Sequence, residues 1–213
     1  MKEFLDIFLH INDHLSEFTK QHGTLVYLFV FTIIFCETGL VVTPFLPGDS
    51  LLFAIGAVSA DPDSGLNLWM AATVITIAAI LGDTANYWIG RKFGHWVVMK
   101  FPKIIKPEHL DKTHDFFNKH GGKTIIMARF IPIIRTFAPF VAGSGAMNFQ
   151  RFMAYNILGA FLWVILLLPA GYFFGSIPIV KEHFELVVIG IVFISALPVM
   201  IEVLKAKFSK PHQ

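Results

Sequence analysis

Long apolar stretches with few interrupting charges make up most of this chain. Three of them, at 68–90, 152–175 and 186–203, reach or approach the roughly 20 residues that a helix needs to cross the hydrocarbon of a bilayer. Hydrophobic residues form 55% of the sequence and charged residues 15%, whereas a soluble domain carries about 25% charge. The sequence therefore predicts an all-α, polytopic membrane protein in which residues 1–213 form a single membrane domain.

The composition argues against several other classes of protein. Cys36 is the one cysteine in 213 residues, so neither an internal disulfide nor a cysteine-based zinc site can form. A formal net charge of +2 gives no indication of nucleic-acid binding. The nine histidines lack metal-site spacing, and no Gly-x-x-x-x-Gly-Lys-Ser/Thr loop for ATP is present. We therefore expect no metal, no cofactor and no enzymatic activity.

Two further apolar stretches, at 24–60 and 124–147, do not behave as plain spans. Both contain helix-breaking residues: Pro44, Pro47 and Gly48 in the first, and Pro132, Pro139 and Gly143 in the second. Proline removes a backbone donor and clashes with the preceding turn, so each stretch is predicted to contain a broken helix. Broken backbone is tolerated at membrane depth only inside protein or beside a wet cavity. We therefore predict two re-entrant hairpins, each entering and leaving on one side.

The distribution of basic residues predicts the orientation. Lysine and arginine are concentrated in 91–123 and in the tail beyond 203, while the loop 61–67 carries two aspartates and no base. The positive-inside rule then places the basic segments and the C-terminus in the cytoplasm and the acidic loop outside. Residues 4–18 show no signal-peptide pattern and instead predict an amphipathic helix at the membrane surface.

The two halves of the chain resemble each other. The segments 18–23 and 117–122 share Phe, Lys and Gly at an offset of 99, and both long spans end in an aromatic cluster followed by Gly. We predict two inverted repeats, 1–93 and 124–175, joined by a basic cytoplasmic loop with an amphipathic helix at 94–123. A final transmembrane helix follows at 186–203. Inverted repeats with broken helices are a transporter plan whose binding site lies where the repeats meet.

Five charges fall inside or beside these apolar stretches: Glu37 and Asp49 in the first hairpin, Arg129 and Arg135 in the second, and Asp83 in the span 68–90. Each such charge costs roughly 2.5–3.5 kcal/mol at the centre of a membrane helix, so they must face each other, water or a ligand. One interpretation is two buried ion pairs that join the hairpins. The other is that the arginines bind an anionic head group while Glu37 and Asp49 carry protons.

Four motifs carry a resemblance to a known family. They are Glu37-Thr38-Gly39, Pro44-x-x-Pro47-Gly48-Asp49, the segment 82–91 and Arg129-Phe130-Ile131-Pro132-x-x-Arg135-x-x-x-Pro139-x-x-Ala142-Gly143. Together they strongly resemble the DedA family of bacterial inner-membrane proteins, part of the SNARE-associated Golgi-type (VTT) group. The resemblance covers roughly residues 20–175.

This resemblance implies a function and a set of site residues. It implies a multi-pass inner-membrane transporter that moves undecaprenyl phosphate between leaflets, driven by the proton-motive force, in support of cell-envelope synthesis. The partners would be an anionic polyprenyl-phosphate lipid, protons and membrane lipids, with an oligomer compatible with the sequence. The family's acidic and arginine pairs match Glu37 with Asp49 and Arg129 with Arg135. The supporting residues would be Asp83, Pro44, Pro47, Gly48, Pro132, Pro139 and Gly143.

Other functions fit parts of the pattern. A proton-coupled cation or drug antiporter would use the three acids and leave the arginines as counter-ions. A passive lipid scramblase or a structural membrane protein would use the charges only to hold the fold. A lipid phosphatase would need a histidine motif after the basic residues, and none follows. Reconstitution into vesicles distinguishes these by lipid translocation, cation flux, hydrolysis or none of the three.

Overall fold

A computed structural model of the chain describes residues 23–40, 48–100 and 121–175. It also describes Phe117, Ile177, Val180, Leu186, Val187 and Gly190. The predicted amphipathic helix at 4–18, Pro44 and Pro47, most of the loop 94–123 and most of the helix at 186–203 lie outside this part. Within it the chain forms helices joined by short turns, which confirms the all-α prediction for the described ranges.

The helices run in the following order along the chain. They are α1 (Leu25–Gly39), α2 (Gly48–Ser59), a 3-10 turn (Pro62–Ser64), α3 (Leu68–Lys100), α4 (Lys123–Ala128), α5 (Pro132–Val141), a π-helical turn (Ala142–Ala146) and α6 (Phe149–Gly175). The apolar segments Leu68–Gly94 and Phe149–Gly175 each have 27 residues. At 1.5 Å per residue each is about 40 Å long, enough to cross about 30 Å of hydrocarbon. The two predicted spans at 68–90 and 152–175 are therefore confirmed as helices of membrane-crossing length.

Both long helices begin behind an asparagine cap. Asn67 Oδ1 accepts hydrogen bonds from the backbone N–H groups of Trp69 and Met70, each at 3.0 Å. Asn148 Oδ1 accepts one from the Gln150 N–H at 2.8 Å. An asparagine in this position satisfies N–H groups of the first turn that have no partner within the helix. Asn67 and Asn148 therefore stabilise the first turns of α3 and α6 at these positions.

The described helices pack so that elements of the two halves interlock. α2 packs on α6, while α5 and the π-helical turn pack on α3, and α1 and α4 pack on the long helix of their own half. The larger buried cluster includes Ile34, Leu52, Ile75 and Trp163, all fully buried. The smaller one is centred on Tyr87 and Phe152, whose rings stack at 4.6 Å. Each half thus supplies one helix to the core of the other.

Glycines allow two very close helix crossings between the halves. Gly90 of α3 lies against the Phe140 carbonyl and Gly143 against the Tyr87 carbonyl, while Gly171 of α6 lies against the Phe53 carbonyl and Gly56 against the Leu168 carbonyl. A Cβ atom on any of the four would overlap the facing oxygen. On each side of both crossings, the glycine comes three residues after the residue whose carbonyl contacts the partner glycine: Gly90 follows Tyr87, Gly143 follows Phe140, Gly56 follows Phe53 and Gly171 follows Leu168. The two crossings therefore follow the same pattern.

The second apolar stretch is broken, although not where the prolines predicted. Pro132 stands in the first turn of α5, where a missing N–H costs nothing, and the break precedes it at 129–131. Pro139 lies inside α5, which continues to Val141, so the expectation that it breaks the helix is wrong. The helix ends instead through the π-helical turn, in which Gly145 has a φ of 125°. Gly143 lies in the close crossing against the Tyr87 carbonyl.

The outer surfaces of the long helices are apolar. Phe161, Ile165, Leu166 and Phe173 of α6 are all half or more exposed, and Trp69 of α3 is 79% exposed. Large apolar side chains exposed in rows mark a surface that meets something other than water. These rows are suited to contact with lipid tails.

Candidate functional site

The five charges named from the sequence lie inside the described bundle. Glu37, Asp83, Arg129 and Arg135 are 3–6% exposed, and Asp49 is only partly exposed. Burying an unpaired charge costs several kcal/mol, so each needs a partner. The contacts divide the charges into two centres, one around Arg135 and one around Arg129.

Four of the five charged side chains lie at helix ends, and Asp83 lies within α3. Glu37 stands near the end of α1, Asp49 in the first turn of α2, Arg135 in the first turn of α5 and Arg129 directly after α4. A carboxylate in a first turn interacts favourably with the positive end of the helix dipole. The Gly48 N–H donates to Glu37 Oε1 at 2.9 Å, and a Cβ at Gly48 would overlap that carboxylate. Only glycine allows this approach.

The Arg135 centre joins the two halves of the chain. Arg135 Nη1 lies 3.2 Å from Asp49 Oδ1 and 3.4 Å from Glu37 Oε1. One guanidinium nitrogen therefore faces two carboxylates from the first half, and the acids of one predicted hairpin meet an arginine of the other.

The Arg129 centre is different from the one expected. Arg129 Nη2 pairs with Asp83 Oδ2 of α3 and donates to Asn156 Oδ1 of α6 at 2.6 Å. The expectation that both arginines face the acids of the first hairpin is therefore wrong for Arg129. The reason is geometric, because Arg129 precedes α5 in the break and lies between the two long helices rather than beside α1 and α2.

Trp163 of α6 connects the two centres. Its Nε1–H donates to Asp49 Oδ1 at 2.8 Å. The guanidinium carbon of Arg135 lies 4.6 Å from its ring centroid, and that of Arg129 lies 5.9 Å away. Both distances are within the range of cation–π attraction. From its place in an apolar span, Trp163 was expected to serve packing or interfacial anchoring rather than to contact charged groups.

Two buried asparagines, Asn86 and Asn156, also take part in this region and were not predicted from the sequence. Asn156 Nδ2 donates to the Ile80 carbonyl at 3.1 Å, which fixes its oxygen towards Arg129. Asn86 Nδ2 donates to the carbonyls of Thr38 at 3.1 Å and Thr136 at 2.7 Å, and so links α1 to α5. An amide inside an apolar span needs a partner from another helix, and that signal could have identified both.

Several buried polar atoms are not used by these pairs. Among the described residues, Arg129 Nε and Nη1, Arg135 Nη2 and Glu37 Oε2 have no hydrogen-bond partner. A buried donor without a partner costs roughly 1–3 kcal/mol, and more when it is charged. Three guanidinium nitrogens thus retain donor capacity for a ligand. A planar guanidinium fork is well matched to the oxygens of a phosphate.

Comparison with known proteins gives a consistent result. The family model of the VTT domain matches residues 46–173. Protein DedA of Escherichia coli (strain K12) is 53% identical over 204 residues, which cover 95% of this chain and 93% of that protein. The uncharacterized membrane protein Rv0364 of Mycobacterium tuberculosis is 40% identical over 180 residues, covering 84% and 79%. Inner membrane protein YqjA of Escherichia coli (strain K12) is 33% identical over 160 residues, covering 75% and 72%.

No solved structure matches the chain. The family model nevertheless spans more than half of the sequence, and the relatives named as membrane proteins agree with the two long apolar helices and their exposed apolar rows. The chain therefore belongs to the DedA family of VTT-domain membrane proteins.

Proposed function

We propose that this protein moves undecaprenyl phosphate between the leaflets of the bacterial inner membrane, without hydrolysing it, and draws on the proton-motive force. The observation that carries the proposal is the pair of buried guanidinium groups with donors that their acids leave unused. A phosphate head group would complete these donors. The identity of the lipid rests on the resemblance of the chain to the DedA family.

The geometry favours passage of a head group over a purely structural ion pair. The lipid tail can remain in the hydrocarbon throughout, so only the phosphate needs a polar path through about 30 Å. Asp49 and Arg135 lie in the first turns of α2 and α5, so the positive ends of two helix dipoles lie beside the charged region. Buried charges of both signs would otherwise add cost without function.

A repeated architecture supports the transport proposal. Both long helices begin behind an asparagine cap, and each is crossed by a helix of the other half with the same glycine spacing. We infer from these features two inverted repeats with re-entrant hairpins in a multi-pass topology. In such a plan the binding site lies between the repeats near mid-membrane, where the two arginine centres would then lie. The basic residues of the loop 91–123 and of the tail indicate that the C-terminus is cytoplasmic.

A count of charges suggests how protons drive transport. The two centres hold two arginines and three carboxylates. With every group ionised they carry one net negative charge and repel a phosphate. One added proton makes the centres neutral, and a second makes them positive. Phosphate binding and proton uptake at Glu37 or Asp49 therefore favour each other, so the lipid and the proton travel in the same direction.

The experiment that tests the proposal is a leaflet-resolved assay in vesicles. We expect the wild-type protein to move a polyprenyl phosphate under an imposed proton gradient, with the phosphate intact afterwards. Arg135→Ala should reduce the rate at least tenfold, because Arg135 joins the acids to the head-group site. Arg151→Ala, which removes an exposed charge on α6, is the control and should transport normally.

Three other results would contradict the proposal. Equal translocation by the wild type and Arg135→Ala would remove the head-group role of the arginine. Cation flux without lipid movement would favour the antiporter, which uses the same acids. Release of inorganic phosphate would indicate an enzyme.

A further inference from the structure

Trp163 is the side chain that contacts both arginine centres from α6. None of its surface is exposed. Its indole N–H donates to Asp49 Oδ1, and the same oxygen faces Arg135 Nη1. Its ring lies within 6 Å of both guanidinium carbons. One rigid group therefore touches a carboxylate of one centre and the arginines of both.

The ring and the N–H act on the charges in different ways. Two guanidinium groups near a common point repel each other, and an aromatic ring beside both reduces that repulsion because its faces are electron-rich. An N–H that donates to a carboxylate favours the ionised form of that carboxylate. Protonation of Asp49 would weaken the bond to Trp163. A change in the ring's position would then act on Arg129 as well as on Arg135.

We propose that Trp163 is a positioning residue that couples proton binding at Asp49 to the state of both arginines. The proposal rests on the proposed transport of a lipid phosphate, and adds to it the residue by which proton and phosphate act on each other. Without such a group, the Arg129 centre would respond to Asp49 only through distance-weakened electrostatics.

The charged groups around Asp49 define the controls. Arg135 of α5 pairs with Asp49 and with Glu37 of α1, and Glu37 also interacts electrostatically with Asp49 and with Asp83 of α3, the partner of Arg129. A change in pH dependence after alteration of Trp163 must therefore be compared with the Asp49→Asn and Glu37→Gln variants.

The first test is the pH profile of translocation for Trp163→Phe, which keeps an aromatic ring and removes the N–H. We expect the pH of half-maximal rate to differ from that of the wild type, because the indole N–H that joins Trp163 to the Asp49 carboxylate is gone. Trp88→Phe is the matched control. Trp88 also lies over an arginine, Arg91, at 5.2 Å, but it is half-exposed and outside the centres.

A profile of Trp163→Phe that coincides with those of the wild type and Trp88→Phe would overturn the proposal. A shifted midpoint would support it at any maximal rate, because a loss of packing alone lowers the rate at every pH without moving the midpoint.

The second test keeps Trp163 and needs no transport. The triple variant Trp69→Phe, Trp88→Phe, Trp96→Phe has Trp163 as its one tryptophan. In lipid nanodiscs we expect its emission to change with pH and to lose that change after Asp49→Asn. Farnesyl phosphate should also change the emission, and farnesol should not. A pH response unaltered by Asp49→Asn would overturn the proposal.

The two proposals fail in different ways. If the pH response disappears with Asp49→Asn while farnesyl phosphate has no effect and vesicles show no lipid movement, the coupling through Trp163 stands and lipid transport is wrong. If vesicles transport lipid and the emission ignores both pH and farnesyl phosphate, lipid transport stands and the coupling is wrong.

Discussion

The buried charges of this protein are stabilised by a few individual side chains. The five charges were identifiable from the sequence, because a charge stands out in an apolar stretch. Their partners were not, since pairing depends on the rotation of each helix, and Arg129 pairs with Asp83 rather than with Glu37 or Asp49. Trp163 was missed because an aromatic residue in an apolar span usually serves packing alone.

Removing the partner of Arg129 should destabilise the fold. In Asp83→Asn the guanidinium stays charged and buried but loses its counter-ion. We expect a loss of about 3–5 kcal/mol, as for other broken buried pairs, and a lower midpoint of thermal unfolding in detergent. Asp61→Asn, which changes an exposed carboxylate, is the control. Equal midpoints for the two variants would show that the pair contributes little to stability.

At the scale of elements, sequence patterns located the helices better than their breaks. The apolar stretches predicted the long helices, and the structure adds that Asn67 and Asn148 cap their first turns. The prediction that Pro139 breaks the helix was wrong, because α5 continues through it to Val141. A proline near the end of a helix removes only one hydrogen bond. Gly143 was expected to help break the second apolar stretch, whereas it lies in a close crossing against the Tyr87 carbonyl. Sequence does not indicate which carbonyl a glycine will face.

The two crossings should respond alike to an added methyl group. In Gly143→Ala and Gly171→Ala the new Cβ would overlap the carbonyls of Tyr87 and Phe53, which are backbone and cannot move aside easily. We expect each variant to lose about 1–3 kcal/mol of stability. Gly190→Ala, which meets nothing within 4 Å, should leave the unfolding midpoint unchanged. A loss in only one crossing variant would argue against equivalent halves.

At the scale of the whole molecule, the charge pattern of the loops predicts a topology that side-specific labelling can test. In a Cys36→Ser background, Asp63→Cys and Lys92→Cys place single exposed thiols near opposite ends of α3. A membrane-impermeant maleimide added to spheroplasts should label the first and leave the second unmodified until the membrane is permeabilised. Labelling of both from outside would contradict the proposed orientation.

The interlocked packing of the halves has a consequence for biosynthesis. α2 can pack on its main partner, α6, only after residues 149–175 have been translated. Arg135, which pairs with Glu37 and Asp49, is likewise synthesised about ninety residues after them. Until then the nascent first half carries three carboxylates, those of Glu37, Asp49 and Asp83, whose arginine partners have not yet been made. We therefore expect the insertion machinery to retain the first half, or to leave it at the bilayer surface, until the second half has been translated and both can fold together.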